Sequence, residues 1–302
     1  MAVVVFSVVL VVVLSVITQA SSLWRTSTGK IAAFQSARAG FDLLTRSLSQ
    51  ATLNTYLDYD NPMNPSTYLR KSELAFVSGP ASAAGFPGTL GCGQAVFFQA
   101  PLGYATNTTS YGKLESLMNT CGYYVAFTTN NAIPPHVAVS SNPLRYRLMQ
   151  LLVPTENNTI YTASSSAWFT GYTVQARPLA DNIIALIVRP QDPGSVSPST
   201  PDLTTNYAYD STKSAASLPQ PPTANQMPPV VQVTLVAIDE ASAKRLEESN
   251  PGAIASALSG KFQITTNYAT DLSQLEDALS AQHIQYRIFS TAVPIRESKW
   301  TK

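Results

Sequence analysis

The chain has 302 residues, of which 45% are hydrophobic and only 12% charged, with a formal net charge of +1. That charged share is about half the usual value, and the balance excludes a strongly basic nucleic-acid binder and an acidic disordered chain. Two cysteines exclude a disulfide-dense scaffold and a multi-cysteine zinc domain, and two histidines exclude a His-rich metal centre. The 21 prolines and 14 tyrosines favour a loop-rich β protein over a helix bundle.

From Ala2 to Ala20 the chain is almost wholly apolar, broken only by Ser7, Ser15, Thr18 and Gln19, and the first charge is Arg25. An uncharged helix of about 20 residues rises roughly 30 Å, the thickness of a bilayer core, so residues 1–24 read as a transmembrane segment. The competing reading is a cleaved secretory signal, with Thr18-Gln19-Ala20 as an imperfect small-x-small site. No basic residue precedes the run and its length exceeds that of an ordinary signal core, which favours a retained helix. Arg25 and Lys30 follow it, which alone would place the C-terminal side in the cytoplasm.

A second helical pattern continues without a break. Phe34, Ala37, Phe41, Leu44, Leu48 and Ala51 recur at alternating spacings of three and four, a stripe along one helix face. Arg38, Asp42 and Arg46 lie off it in i,i+4 order, and Gly29 and Gly40 are weak points. The pattern predicts one rod of about 50 residues, roughly 75 Å long, ending near Asn54 to Asp58, with its first half in lipid and its second half packed on a head.

The remainder, within 25–302, reads as one β-rich head. Predicted strands are Leu74–Val77, Ala95–Gln99, Tyr123–Thr128, Leu144–Val153, Ala167–Val174, Ile183–Val188, Val230–Ile238 and Ile284–Val293. Alternation in several of them, with Arg145 and Arg147 on one side, argues for an antiparallel sheet with one wet face. Glu240–Ser249, capped by Asp239, and Asp271–Gln282 read as helices. Residues 190–229 hold nine of the 21 prolines among Ser, Thr, Asn and Asp, too little apolar area to order well. They read as a long surface loop between two strands.

The catalytic search is nearly empty. His136 follows Pro134-Pro135, His283 sits between a helix and a strand, and no G-x-S-x-G elbow or P-loop is present. Gly85, Gly88, Gly91 and Gly93 lack the strand-turn-helix setting of a dinucleotide site. Asp58 and Asp60 beside Asn54 and Asn61 suit a capped helix end better than a calcium loop. Asn107-Thr108-Thr109 and Asn157-Asn158-Thr159 match the glycosylation acceptor. Cys92 and Cys121 are an even pair in a chain read as facing an oxidising compartment; a bridge closing about 30 residues, worth about 3 kcal/mol, and two unrelated thiols both remain open. No catalytic residue, cofactor, metal, nucleic acid or small-molecule substrate is expected.

Several stretches carry a family resemblance: Ser22-Leu23-Trp24-Arg25, the runs Phe34–Phe41 and Leu44–Ala51, Val231–Ala243, and the closing Tyr286–Thr291, Pro294-Ile295-Arg296 and Lys299-Trp300. In that order they resemble the Verru_Chthon cassette protein C family of pilin-like proteins, which is similar to the J-type minor pseudopilins of type II secretion. The resemblance implies an α+β, type IV pilin-like fold, with a long N-terminal helix packed on an antiparallel β-sheet head. It implies a structural, non-enzymatic subunit that meets other pilin-like subunits through its N-terminal helix. It also implies a single-pass protein of the bacterial inner membrane with a periplasmic head. Such proteins begin with a basic leader and a prepilin peptidase site; neither is in this sequence, and Met1-Ala2-Val3 matches the middle of the helix, so a start further upstream is expected. The alternative function is a secreted β-rich binding protein with a cleaved signal peptide.

Overall fold

In the computed structural model, residues 2–81, 93–114, 116–133, 142–162, 166–192, 202–213, 219–249 and 252–300 are described. The chain opens with helix α1 (Ala2–Ser49), followed by strands β1 (Tyr56–Tyr59), β2 (Tyr68–Lys71), β3 (Val77–Pro80) and β4 (Gln94–Pro101). After the short α2 (Thr108–Tyr111) come β5 (Met118–Thr128), β6 (Arg145–Val153), α3 (Ala167–Thr170), β7 (Arg177–Asp181), β8 (Ile183–Gln191) and β9 (Tyr209–Asp210). The last elements are β10 (Val230–Ile238), α4 (Glu240–Ser249), α5 (Ala253–Leu258), α6 (Tyr268–Ala281) and β11 (Tyr286–Pro294).

The strands form three sheets, in the orders β1-β2, β11-β10-β8 and β7-β6-β5-β4-β3-β9. Strand β5 is central in the last of these and is buried from Asn119 to Ala126, which explains why it reads as a nearly continuous apolar run. Strands β8 and β10 are covered on both faces. One face (Ile183, Leu186, Val188, Val231, Val233, Leu235) joins the core shared with the six-stranded sheet and α1. The other (Ile184, Ile187, Val236, Ile238) packs under Ile254, Leu275 and Leu279 of α5 and α6. Two-sided burial removes the alternation expected of a half-wet strand, hence the run Ile183 to Val188.

These findings overturn the fold class expected from the sequence, a type IV pilin-like α+β arrangement of one long helix on one antiparallel sheet. The described chain is mostly β, spread over three sheets, and the helices after α1 are short. Of α1, only the turns from Phe34 onward enter the core. The helix stops at Ser49, short of Asn54, because Asn54 is used elsewhere: its Oδ1 accepts from the backbone N–H groups of Glu73 and Leu74, both at 3.1 Å.

Ala167–Val174, expected as a strand, is instead α3 and a following 3-10 turn. Trp168 and Phe169 are buried there, with Phe169 stacked on Phe97 at 4.1 Å. Aromatic content alone misled, since these rings fill a core from a helical turn as well as from a strand. The wet face assigned to Arg145 and Arg147 is also corrected: both are buried, 7% and 2% exposed.

The proline-rich span departs furthest from expectation. Among its described residues Tyr207, Tyr209, Ala224 and Met227 are buried. Strand β9 pairs with β3 through Val77–Asp210 and Ser78–Tyr209, and the Tyr209 hydroxyl donates to Gln226 O at 2.9 Å. Asp202 pairs with Arg189 of β8 at 2.8 Å. Prolines lower the entropy lost on ordering, and a few buried tyrosines then suffice to fix the described parts of the segment on the sheet edge.

Candidate functional site

The most distinctive surface is the apolar part of α1. Leu10, Val11, Val12, Val13, Leu14, Val16 and Ile17 are all about half exposed or more, from 49% to 65%. Successive helix residues turn by about 100°, so five consecutive exposed apolar residues face every direction around the axis. An amphipathic helix would show one wet side; this one shows none among these positions. Its polar members are turned inward on the helix itself: Thr18 Oγ1 donates to Leu14 O at 3.0 Å and Gln19 Nε2 to Ser15 Oγ at 3.3 Å.

Among the described residues, no helix is long and apolar enough to cross a membrane. This overturns the transmembrane segment and the single-pass inner-membrane localisation with a periplasmic head.

Further along α1, the stripe residues Ala37, Phe41, Leu44 and Leu48, with Ala51 just beyond the helix, lie buried in the main core, and Phe34 packs against it. Phe41 meets Phe289 of β11 with ring centroids 5.9 Å apart. Gly40, a weak point by propensity, marks a close approach: a Cβ there would lie 3.2 Å from Ala180 Cβ on β7. These contacts anchor the last turns of the helix to the head.

An ionic cluster of buried arginines and solvent-facing carboxylates joins β6 to α4. Arg145 pairs with Glu247 and, at 3.2 Å, with Glu240; Arg147 pairs with Asp181 and donates to Thr128 O at 3.1 Å. Asn182 Nδ2 donates to Glu240 Oε2 at 2.7 Å. Both guanidiniums are neutralised in place, an arrangement that fixes element positions. Beside it an apolar hollow of about 20 Å³, lined by Phe127, Leu144 and Tyr146, has room for about one water. A wider cleft of about 300 Å³ is lined by Gln94, Leu186, Lys261, Phe262 and Gln263 among others, with no carboxylate or histidine in its wall among the described residues.

The other residues singled out in the sequence lie apart. His283 is exposed in a left-handed turn (φ 55°) between α6 and β11. His136 and Cys92 lie outside the described residues. Cys121 is fully buried in β5, and burial pushes its thiol up to about 12. Asp58 and Asp60 belong to the β1–β2 hairpin, not to a helix end: Asp58 pairs with Lys71 at 2.6 Å, and Asp60 accepts from the backbone of Ser66 at 2.9 Å. Among the described residues no group of three or more His, Cys, Asp and Glu is placed to hold a metal ion.

Glu156 holds the loop before α2. It accepts from the Thr106 hydroxyl and from the backbone N–H groups of Thr106 and Asn107 at 2.8 and 2.9 Å. The Thr106 hydroxyl bond, then the backbone bonds, lower its carboxyl from 4.5 to about 2. A depressed acid favours the folded chain above its ordinary value, and that contribution is lost as pH falls from about 4.5 towards 2. In an NMR titration Glu156 is expected to have its midpoint near 2, and Thr106→Val to raise it towards 4.5; equal midpoints in the two proteins would refute the assignment.

A search of family models, of curated proteins and of solved structures finds no match to this chain. The class that the fold itself defines is a β-rich protein of three sheets whose first helix carries an apolar surface uncovered by its own head.

Proposed function

We propose that the chain is a structural subunit of a pilus-like or type II secretion-like assembly, in the role of a minor pseudopilin and without catalytic activity, meeting other pilin-like subunits through its N-terminal helix. The observation that carries this is the all-round apolar surface from Leu10 to Ile17. Full burial of such a side chain contributes roughly 1.5–3 kcal/mol. The seven residues are about half exposed, so covering them is worth about 5–10 kcal/mol in all. Association costs about 4–15 kcal/mol.

The test is sedimentation of the purified full chain beside Val13→Asp. The wild type is expected to form species larger than a dimer and the variant to lose them, with an unchanged melting temperature because Val13 belongs to neither core cluster. A monodisperse wild type, or a variant that assembles equally well, would overturn the reading.

A further inference from the structure

Among the described residues the three-stranded sheet ends on β11, and the outer side of this strand makes no backbone bond from Tyr286 to Ala292; beyond it the Arg296 N–H donates to Ser49 O at 3.3 Å. Strand β10 pairs with β11 without a shift, from Val230–Pro294 to Ile238–Tyr286. The same register continues past both ends, where Ile295 N–H donates to Pro229 O at 3.0 Å and Asp239 N–H to Gln285 O at 3.1 Å. Antiparallel partners alternate between bonded and non-bonded pairs. The odd-numbered residues of β11 therefore turn their N–H and C=O groups towards β10, and Tyr286, Ile288, Ser290 and Ala292 turn theirs outward. Ser290, Thr291 and Ala292 are exposed. Helix α1 meets β11 through the side chain of Phe289 against Phe41, on the core face of the sheet. Natural edges are usually blunted by charged side chains, proline or a bulge; here the strand carries one charge, Arg287, its first proline is Pro294, and no bulge interrupts its pairing.

We infer that β11 is an interface with a second copy of this chain, the two strands pairing antiparallel about a twofold axis at Phe289. In this register Tyr286 faces Ala292 and Ile288 faces Ser290, so all four outward residues of each copy exchange both backbone bonds. Arg287, whose guanidinium lies over the Phe289 ring at 5.7 Å, then faces Thr291, and no like charges meet. Centring the pair on Arg287 instead would set the two guanidiniums opposite one another. The two three-stranded sheets become one six-stranded sheet. A strand of nine residues is only about 30 Å long, so the contact falls in the small, transient class below about 1,200 Å². The dimer is accordingly weak and depends on concentration. This interface lies on the head and is independent of the helix reading above.

The experiment uses the full chain carrying Val13→Asp, and the wild type beside it, so that helix association and edge pairing are read separately. Sedimentation from micromolar to near-millimolar protein is expected to show a monomer–dimer equilibrium that survives Val13→Asp. Ala292→Pro removes an outward N–H and leaves the β10 ladder whole, and it is expected to weaken the dimer about tenfold or more. Hydrogen exchange adds a measurement that needs no variant in the strand: the amides of Ile288, Ser290 and Ala292 slow as concentration rises, and that of Thr291, bonded within the monomer, does not. A chain that stays monomeric throughout, or edge amides whose exchange is independent of concentration, would overturn the inference.

Discussion

Leu48→Ala is expected to lower the unfolding free energy by about 2–5 kcal/mol, the range for deleting a fully buried leucine. Leu48 has no exposed surface and belongs to the core shared by the last turns of α1 and two sheets. Leu44 lies one turn before it, equally buried, so the space vacated cannot be filled from its own helix. The control is Leu43→Ala, on the same helix but 39% exposed, which should cost well under about 1 kcal/mol. Urea titration of both variants reads the difference through the midpoint at constant slope. Equal effects would mean that the end of α1 does not pack on the head.

The second large effect comes from adding a single carbon. At Gly122 of β5 a Cβ would sit 2.1 Å from Cδ1 of Phe97, its direct partner on β4. Phe97 is fully buried, is stacked on Phe169 at 4.1 Å, and lies 6.3 Å from the ring of Tyr124. The ring has nowhere to swing, so Gly122→Ala forces either the β4–β5 ladder or the aromatic stack apart. Overpacking of this kind costs about 1–3 kcal/mol, occasionally more. Phe97→Leu is itself destabilising, but it should reduce the penalty of Gly122→Ala when the two are combined. A double-mutant cycle with no coupling would show that the strand had absorbed the clash by another route.

What could be read in advance follows from what each residue's neighbours are. Helix α4 was legible at both ends, because an acidic cap and a polar-apolar pattern are local; Asp239 Oδ1 does accept from Ser242 N–H at 3.0 Å. Strand β10 was equally legible, its alternation surviving even with both faces covered. The positions of Ala37, Phe41, Leu44, Leu48 and Ala51 in the core follow from a spacing visible in the chain. The exposure of Leu10 to Ile17 was not legible, because an apolar helix is written with the same side chains whatever surrounds it. The burial of Arg145 and Arg147 was hidden for another reason: their partners Glu240, Glu247 and Asp181 are distant in sequence, and a paired arginine is written with the same letter as a wet one. Gly122 carries no local mark at all, since its role is set by a ring on the neighbouring strand. The proline-rich segment was misjudged because its order comes from few contacts of long range, Tyr209 with Phe76 and Asp202 with Arg189.

The meeting of Phe41 with Phe289 has a consequence for biosynthesis. The two rings are separated by roughly 250 residues, which at about 5–20 residues per second takes on the order of tens of seconds to translate. Throughout that interval the stripe of α1 has left the ribosome while β11, one wall of its binding groove, does not yet exist. The nascent chain thus carries two uncovered apolar surfaces on one helix, one awaiting its own C-terminal strand and one, from Leu10 to Ile17, that the finished head leaves exposed. A holding factor that shields α1 during synthesis would act on both, and only the first surface is released from it by completion of the chain.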